Sequence, residues 1–191
     1  IDFSTSLRTG PHSGSALAAL INSFPQNPKP GIATIADFSR YSAAGDAPSA
    51  FVASPVVSNG RLAGYVVIRI SSDQLSSIAT TDGSWRSLGE TGETYLVGDD
   101  NLMRSDARSF VEDPEAYLDA ASETQTASSS QIRSMEQLGT TALFQSVDDD
   151  EVDATLLSET RMTDTTNYLG ASVLSSQHAL DLEGLNWVLF A

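Results

Sequence analysis

At 191 residues the chain is long enough for one sizeable core or two small ones, since domains commonly run to roughly 100–150 residues. Twenty-five acidic residues against ten basic ones leave a net charge of −15, which repels nucleic-acid phosphates and anionic head groups over a Debye length of about 8 Å and argues against nucleic acid as a partner. With no cysteine there is no disulfide framework, thiolate nucleophile or Cys-based zinc site.

No apolar run approaches the roughly 20 residues that span a bilayer, and the first residues lack the pattern of a signal peptide. The chain reads as a soluble piece, a description that also fits the outer part of a membrane protein. Ile1-Asp2-Phe3-Ser4 reads as the end of a strand, and Thr9-Gly10-Pro11 as a turn. Ser13 or Ser15 caps a short helix over residues 16–23, whose Leu17, Leu20, Ile21 and Phe24 recur at spacings of three and four. Pro25 ends it, and Pro25, Pro28, Pro30 and Gly31 make a loop.

Residues 32–38 and 49–57 follow as strands, and Asn59-Gly60 is a strong hairpin signal. Its partner, residues 62–70, alternates and reads as a central strand with one lip near solvent. Three antiparallel strands in sequence order result. Residues 73–78 are helix-like, and Thr80-Thr81-Asp82-Gly83 marks a boundary, placing one lobe over residues 1–81 and another over 82–191.

The second lobe opens on residues 89–108. Tyr95-Leu96-Val97, the turn Gly98-Asp99-Asp100-Asn101 and Leu102-Met103 predict a β-hairpin with a polar second arm. A polar connector over 109–113 leads to Pro114 at a first helical position. Residues 122–130 read as a loop or frayed helix, 132–138 as a helix with Gly139 as its cap, and 148–151 as an acidic start to a helix over 152–157. Strands are expected over 158–162, 167–175 and 185–191. A faint internal repeat aligns residues 53–68 with 175–190, matching Gly64 with Gly184 and Tyr65 with Trp187.

The hairpin from Gly89 to Arg108 closely resembles the opening hairpin of the membrane-proximal lobe in double Cache sensor domains, the extracytoplasmic PAS-like modules of bacterial chemoreceptors, histidine kinases and nucleotide cyclases. Asp37-Phe38-Ser39-Arg40-Tyr41 with residues 47–56 resembles the third and fourth strands of the distal lobe, and Gly64-Tyr65-Val66-Val67-Ile68 its fifth. Asn167-Tyr168-Leu169-Gly170 and Gly184-Leu185-Asn186-Trp187-Val188-Leu189 are similar to the last strands of the proximal lobe, which lead toward a membrane helix.

The resemblance implies an α+β fold of two PAS-like lobes, each an antiparallel sheet flanked by helices. It implies a periplasmic or extracellular receptor part that binds a small molecule, catalyses nothing and needs no cofactor, within a membrane-anchored parent. Members begin with a long helix and two strands ahead of the point where Ile1 stands, so the first lobe reads as N-terminally truncated, with an open sheet edge available to another chain and a homodimer as one outcome. The amino-acid-binding branch carries arginine, tryptophan and tyrosine after a distal tyrosine, whereas Tyr41 is followed here by Ser42-Ala43-Ala44-Gly45.

Asp37, Phe38, Tyr41, Phe51 and Tyr65 are the candidate ligand-binding residues of the first lobe, combining apolar walls with a few polar groups; the competing reading makes the aromatics core and Asp37 a turn cap. Tyr95, Arg104, Ser105, Asp106 and Tyr168 are candidates for a second pocket in which Arg104 grips a carboxylate; the competing reading pairs Arg104 internally with Asp106 or another carboxylate. The glycines of residues 89–94 lack the lysine of a phosphate loop, and their two glutamates repel phosphate. The acidic run at 148–153 lacks an EF-hand pattern, and His12 and His178 have no metal-ligand spacing, so no metal is expected. Around Ser13 and Ser15 there is no nucleophile elbow, which disfavours a hydrolase. A structural or adhesive surface module is the alternative to a sensor.

Overall fold

The computed structural model describes residues 5–79, 85 and 88–191, with the backbone alone at Asp149. Its described elements make a mixed α/β structure: α1 (Ala16–Ser23), β1 (Thr34–Tyr41), β2 (Ala47–Ser58), β3 (Arg61–Ser71), α2 (Ser72–Ala79), β4 (Tyr95–Gly98), α3 (Arg108–Glu112), α4 (Pro114–Glu123), α5 (Ser129–Leu138), α6 (Asp149–Ser158), β5 (Thr160–Thr166), β6 (Ser172–Leu182) and β7 (Leu185–Phe190). The chain divides into two compact units, Ile1–Ser71 with Glu183–Leu185, and Ser72–Leu182 with Asn186–Ala191. Residues 80–83, which carry the boundary read from the sequence, and the opening residues 1–4 lie outside the described residues.

In the first unit Ser15 caps α1, its Oγ accepting the amide of Ala18 at 3.2 Å, and the helix stops at Phe24 ahead of Pro25. Leu17, Leu20, Ile21 and Phe24 then pack on Phe51 and Ala53 of β2, with Ala36 and Tyr41 of β1 beside them. Asn59 and Gly60 turn the chain with φ of 51° and 73°, the left-handed pair that a two-residue hairpin requires. The sheet order is β1-β2-β3, antiparallel throughout.

The expectation for residues 62–70 is therefore corrected: β2 is the central strand and β3 an edge. Val66 and Ile68 of β3 are 57% and 60% exposed, whereas Ala50, Phe51 and Ala53 of β2 are buried. Alternation within one strand fixes which face each residue takes; it does not say how many neighbours the strand has, and β1 claims the other side of β2.

The second unit has a four-stranded sheet of order β4-β7-β6-β5. Its core gathers Val97 and Val188 from the sheet, Phe110, Tyr117, Ala121 and Met135 from α3 to α5, and Val152 from α6. Local signals govern the helices here. Asp113 caps α4 by accepting the Ala116 amide at 3.1 Å, with Pro114 at the first position. Ser128 and Gln131 form a capping box on α5, and Gly139 closes it at φ 66°. Asp148 caps α6.

Three sequence expectations shift. The connector over 109–113 is mostly helical, as α3. Residues 167–170 form a turn rather than the start of a strand: Asn167 Oδ1 accepts the amides of Leu169 and Ala171, each at 3.0 Å, and Gly170 has φ 80°. The internal repeat survives as two hairpins, β2–β3 and β6–β7, but Gly184 sits at a turn as Gly60 does, while Gly64 lies inside β3.

Candidate functional site

Of the first-unit candidates, Tyr41 and Phe51 meet edge to face with ring centroids 4.9 Å apart, and Tyr65 lies 5.0 Å from the ring of Phe24 at the end of α1. Phe51 is 2% exposed and holds α1 against the sheet. Asp37 and Phe38 stand elsewhere. Ala36 pairs with Phe51 and Ser39 with Ser49, which leaves both of them opposite Ala50 in a β-bulge, and the Phe38 amide donates to Asp37 Oδ1 at 2.6 Å. Tyr65 borders an open cleft of about 710 Å³ whose other walls include Leu7, Arg8, Ile21, Phe24 and Leu62.

The second-unit candidates separate into two groups. Arg104 is turned inward: its Nη1 pairs with Asp100 Oδ1 at 2.8 Å and donates to the Leu102 carbonyl at 2.9 Å, and its amide donates to the Leu96 carbonyl at 2.7 Å. The guanidinium lies so close to Gly98 that a Cβ there would overlap it. Its carboxylate partner at the turn is thus Asp100. Ser105 Oγ accepts the Leu96 amide at 3.0 Å, pinning the two arms of the hairpin.

Asp106 ties its own segment to those of Ser76 and of Thr140 and Thr141. Oδ1 accepts from Thr140 Oγ1 at 2.6 Å, the Thr141 amide at 2.8 Å and Thr141 Oγ1 at 3.3 Å, while Oδ2 accepts from Ser76 Oγ at 2.8 Å. The same Ser76 hydroxyl accepts the Asp106 amide at 2.8 Å. A carboxylate so supplied with donors needs no ligand to satisfy it.

Tyr95 and Tyr168 stand apart from this knot, 5.4 Å between ring centroids and edge to face. The Tyr168 hydroxyl donates to Glu93, 2.7 Å from Oε1, and lies 3.2 Å from Ser109 Oγ; the Arg108 amide donates to Glu93 Oε2 at 3.0 Å. Burial pushes the Glu93 carboxyl above its ordinary range, against the lowering influence of the Tyr168 and Arg108 hydrogen bonds and of the Arg108 charge. Tyr95 stacks on Phe190 at 5.2 Å, the planes 6° apart.

Glu93, Tyr95 and Phe190 border a partly open cavity of about 100 Å³, lined also by Thr91, Asn167 and Ser175 among others. Glu93 is the site residue that sequence reasoning missed. It sits in the Gly89–Thr94 stretch, where its charge is visible but the removal of that charge from water is not.

No family model matches the chain, and no curated protein matches it. Among solved structures, methyl-accepting chemotaxis protein X is similar with a TM-score of 0.53 and 16% identity, over 98% of this chain and 55% of that one. The ligand-binding domain of the Pseudomonas aeruginosa PAO1 amino acid chemoreceptor PctC, in complex with GABA, gives a TM-score of 0.49 and 15% identity, covering 100% and 63%. That of the Pseudomonas fluorescens chemoreceptor CtaA, in complex with L-leucine, gives 0.49 and 13%, covering 99% and 62%. The chain spans only part of each of these structures, about half of the first. The first likeness shows the fold: a mixed α/β chain with two antiparallel sheets, built as in a chemotaxis receptor structure.

Proposed function

We propose that the chain is an extracytoplasmic small-molecule-sensing domain of double Cache type, with residues 1–81 as the membrane-distal lobe and 82–191 as the membrane-proximal lobe of a membrane-anchored bacterial receptor. Its action is binding, without catalysis. The observation that carries the reading is the first-unit cleft of about 710 Å³, a size within the roughly 300–1,000 Å³ of small-molecule sites, in a chain whose fold follows a chemotaxis receptor structure over 98% of its length. Of the five residues singled out in this unit, Tyr65 borders the cleft. Phe51 and Tyr41 hold the helix that forms its wall, and Asp37 and Phe38 shape the bulge of β1. A ligand that binds one arrangement of the domain better than another shifts the population toward it, and only that difference in affinity drives a signal toward a membrane helix.

The test is a metabolite library read by thermal unfolding. A ligand at about 100 times its Kd adds about 2.7 kcal/mol, several degrees for a chain of this size. Hits whose shift is lost in Tyr65→Ala and weakened in Arg8→Ala support the reading; hits that shift both variants as much as wild type refute the placement in this cleft. One feature favours the second reading, a structural or adhesive module. Val56, Val66 and Ile68 are exposed on the β2–β3 hairpin, so a silent library together with concentration-dependent self-association relieved by Val66→Thr and Ile68→Thr would favour it.

A further inference from the structure

The second-unit cavity has a charge and a shape that the first-unit cleft lacks. Among its described lining residues Glu93 alone carries a charged side chain, and no cationic side chain lines it. The nearest guanidinium, that of Arg108, is engaged elsewhere: Nε pairs with Glu112 at 2.8 Å, Nη1 donates to the Gly89 and Gly92 carbonyls at 3.0 and 2.6 Å, and the group lies 5.2 Å from the centroid of the Trp85 ring. Tyr95 is 7% exposed, and its hydroxyl makes no hydrogen bond among the described residues. It is a polar group on a residue of the cavity wall with donor and acceptor capacity to spare.

Ser175, 5% exposed, offers a further hydroxyl oxygen, met only by a long 3.4 Å contact from Gln177 Nε2. Behind the wall Glu151 accepts from that same Gln177 nitrogen at 2.6 Å, and the charges of Glu93 and Glu151 both reach the Tyr95 hydroxyl, adding to the burial that raises its pKa.

We propose that this cavity binds a small protonated primary amine, with Glu93, Tyr95 and Ser175 as acceptors for its ammonium group and the stacked Tyr95 and Phe190 rings as its apolar wall. An ammonium carries three donors and no acceptor, which oxygens of Glu93, Tyr95 and Ser175 in the cavity wall can accept, and a carboxylate has room for a further donor beside Tyr168 and the Arg108 amide. A cation also offsets the desolvation that outweighs the Tyr168 and Arg108 interactions at Glu93, and aromatic rings add to the attraction. The Glu93 charge disfavours an anion there. A metal ion is a poorer occupant, since no group of three His, Cys, Asp or Glu side chains among the described residues is placed to hold one. The volume of about 100 Å³ admits a handful of non-hydrogen atoms, given that a water takes about 30 Å³ in the liquid. The inference stands on this unit alone and does not depend on the first-unit cleft.

The test is calorimetric titration of the 191-residue chain with methylammonium and ethanolamine as chlorides, against acetate, acetamide and potassium at constant ionic strength. Saturable binding of the ammonium ions alone is expected. Glu93→Gln should raise Kd by about tenfold or more and Tyr95→Phe by a few-fold, while Glu112→Gln, which touches Arg108 outside the cavity, leaves it unchanged. Equal binding of acetamide, acetate or potassium overturns the proposal, as does an unchanged Kd in folded Glu93→Gln or no saturation by about 50 mM. Should both variants unfold, aromatic NMR of the wild type decides: shifts centred on Tyr95 and Phe190 support the site, and shifts centred elsewhere or absent refute it.

Discussion

Replacing Asp106 by asparagine tests whether this carboxylate is the tie of the second unit. The substitution keeps size and shape but leaves one acceptor oxygen where there were two. With the amide nitrogen toward Ser76, a hydroxyl that already accepts the Asp106 amide loses the acceptor it donates to; with the nitrogen toward Thr140 and Thr141, the fixed Thr141 amide faces another donor. Either way one buried donor is stranded, at about 1–3 kcal/mol, and the surviving bonds fall from charged to neutral strength, roughly half. The sum is about 2–4 kcal/mol, or a fall in Tm of about 4–16 °C for a chain of this size. Urea unfolding followed by far-UV circular dichroism measures it, with an unchanged slope showing that stability rather than compactness changed. A loss under about 0.5 kcal/mol, the range of ordinary surface substitutions, would refute the account of Asp106 as a saturated structural carboxylate.

Gly98→Ala should cost about 2–4 kcal/mol, because its Cβ displaces the Arg104 guanidinium from Asp100 and Leu102. Gly139→Ala, at φ 66° with open space around it, should cost only about 1 kcal/mol, and equal losses at the two glycines would contradict the close approach. Ser15→Ala should lower the stability of the first unit by about 1 kcal/mol through loss of the α1 cap, read as a shift in the denaturant midpoint.

Glu93 gives a pH prediction. Its folded carboxyl titrates above the ordinary 4.5, chiefly through burial, so between 4.5 and the folded value the unfolded chain has lost a proton that the folded chain keeps, and stability falls as pH rises through that window. Glu93→Gln removes this contribution. Its stability relative to wild type should climb from pH 4.5 upward and then level off in urea titrations, whereas a pH-independent difference would show that Glu93 is not desolvated.

What the sequence made legible was local. Ser15, Pro25, the Asn59-Gly60 pair, Pro114 and Gly139 each act within a few residues of themselves, and each stands in the structure where its chemistry requires. Strand order is not local, so residues 62–70 read as central although β1 takes the far side of β2. Asn167 reads as strand from the run that follows it, yet its side chain closes a turn on its own backbone. The candidate sites divide along the same line. Tyr95 and Tyr168 meet from segments far apart in sequence, with Tyr95 lining a cavity, but whether Arg104 faced a ligand or the hairpin depended on Gly98, whose missing Cβ admits the guanidinium. Glu93 gains its character from rings and helices that no neighbour in the sequence reveals.

The central claim is that the first-unit cleft receives a small molecule. The most direct measurement is a crystal structure of the chain with a compound that raises its Tm. Density for that compound is expected between Phe24, Leu62 and Tyr65, within reach of Arg8. Density at another surface, with the cleft closed by its own side chains, would contradict it.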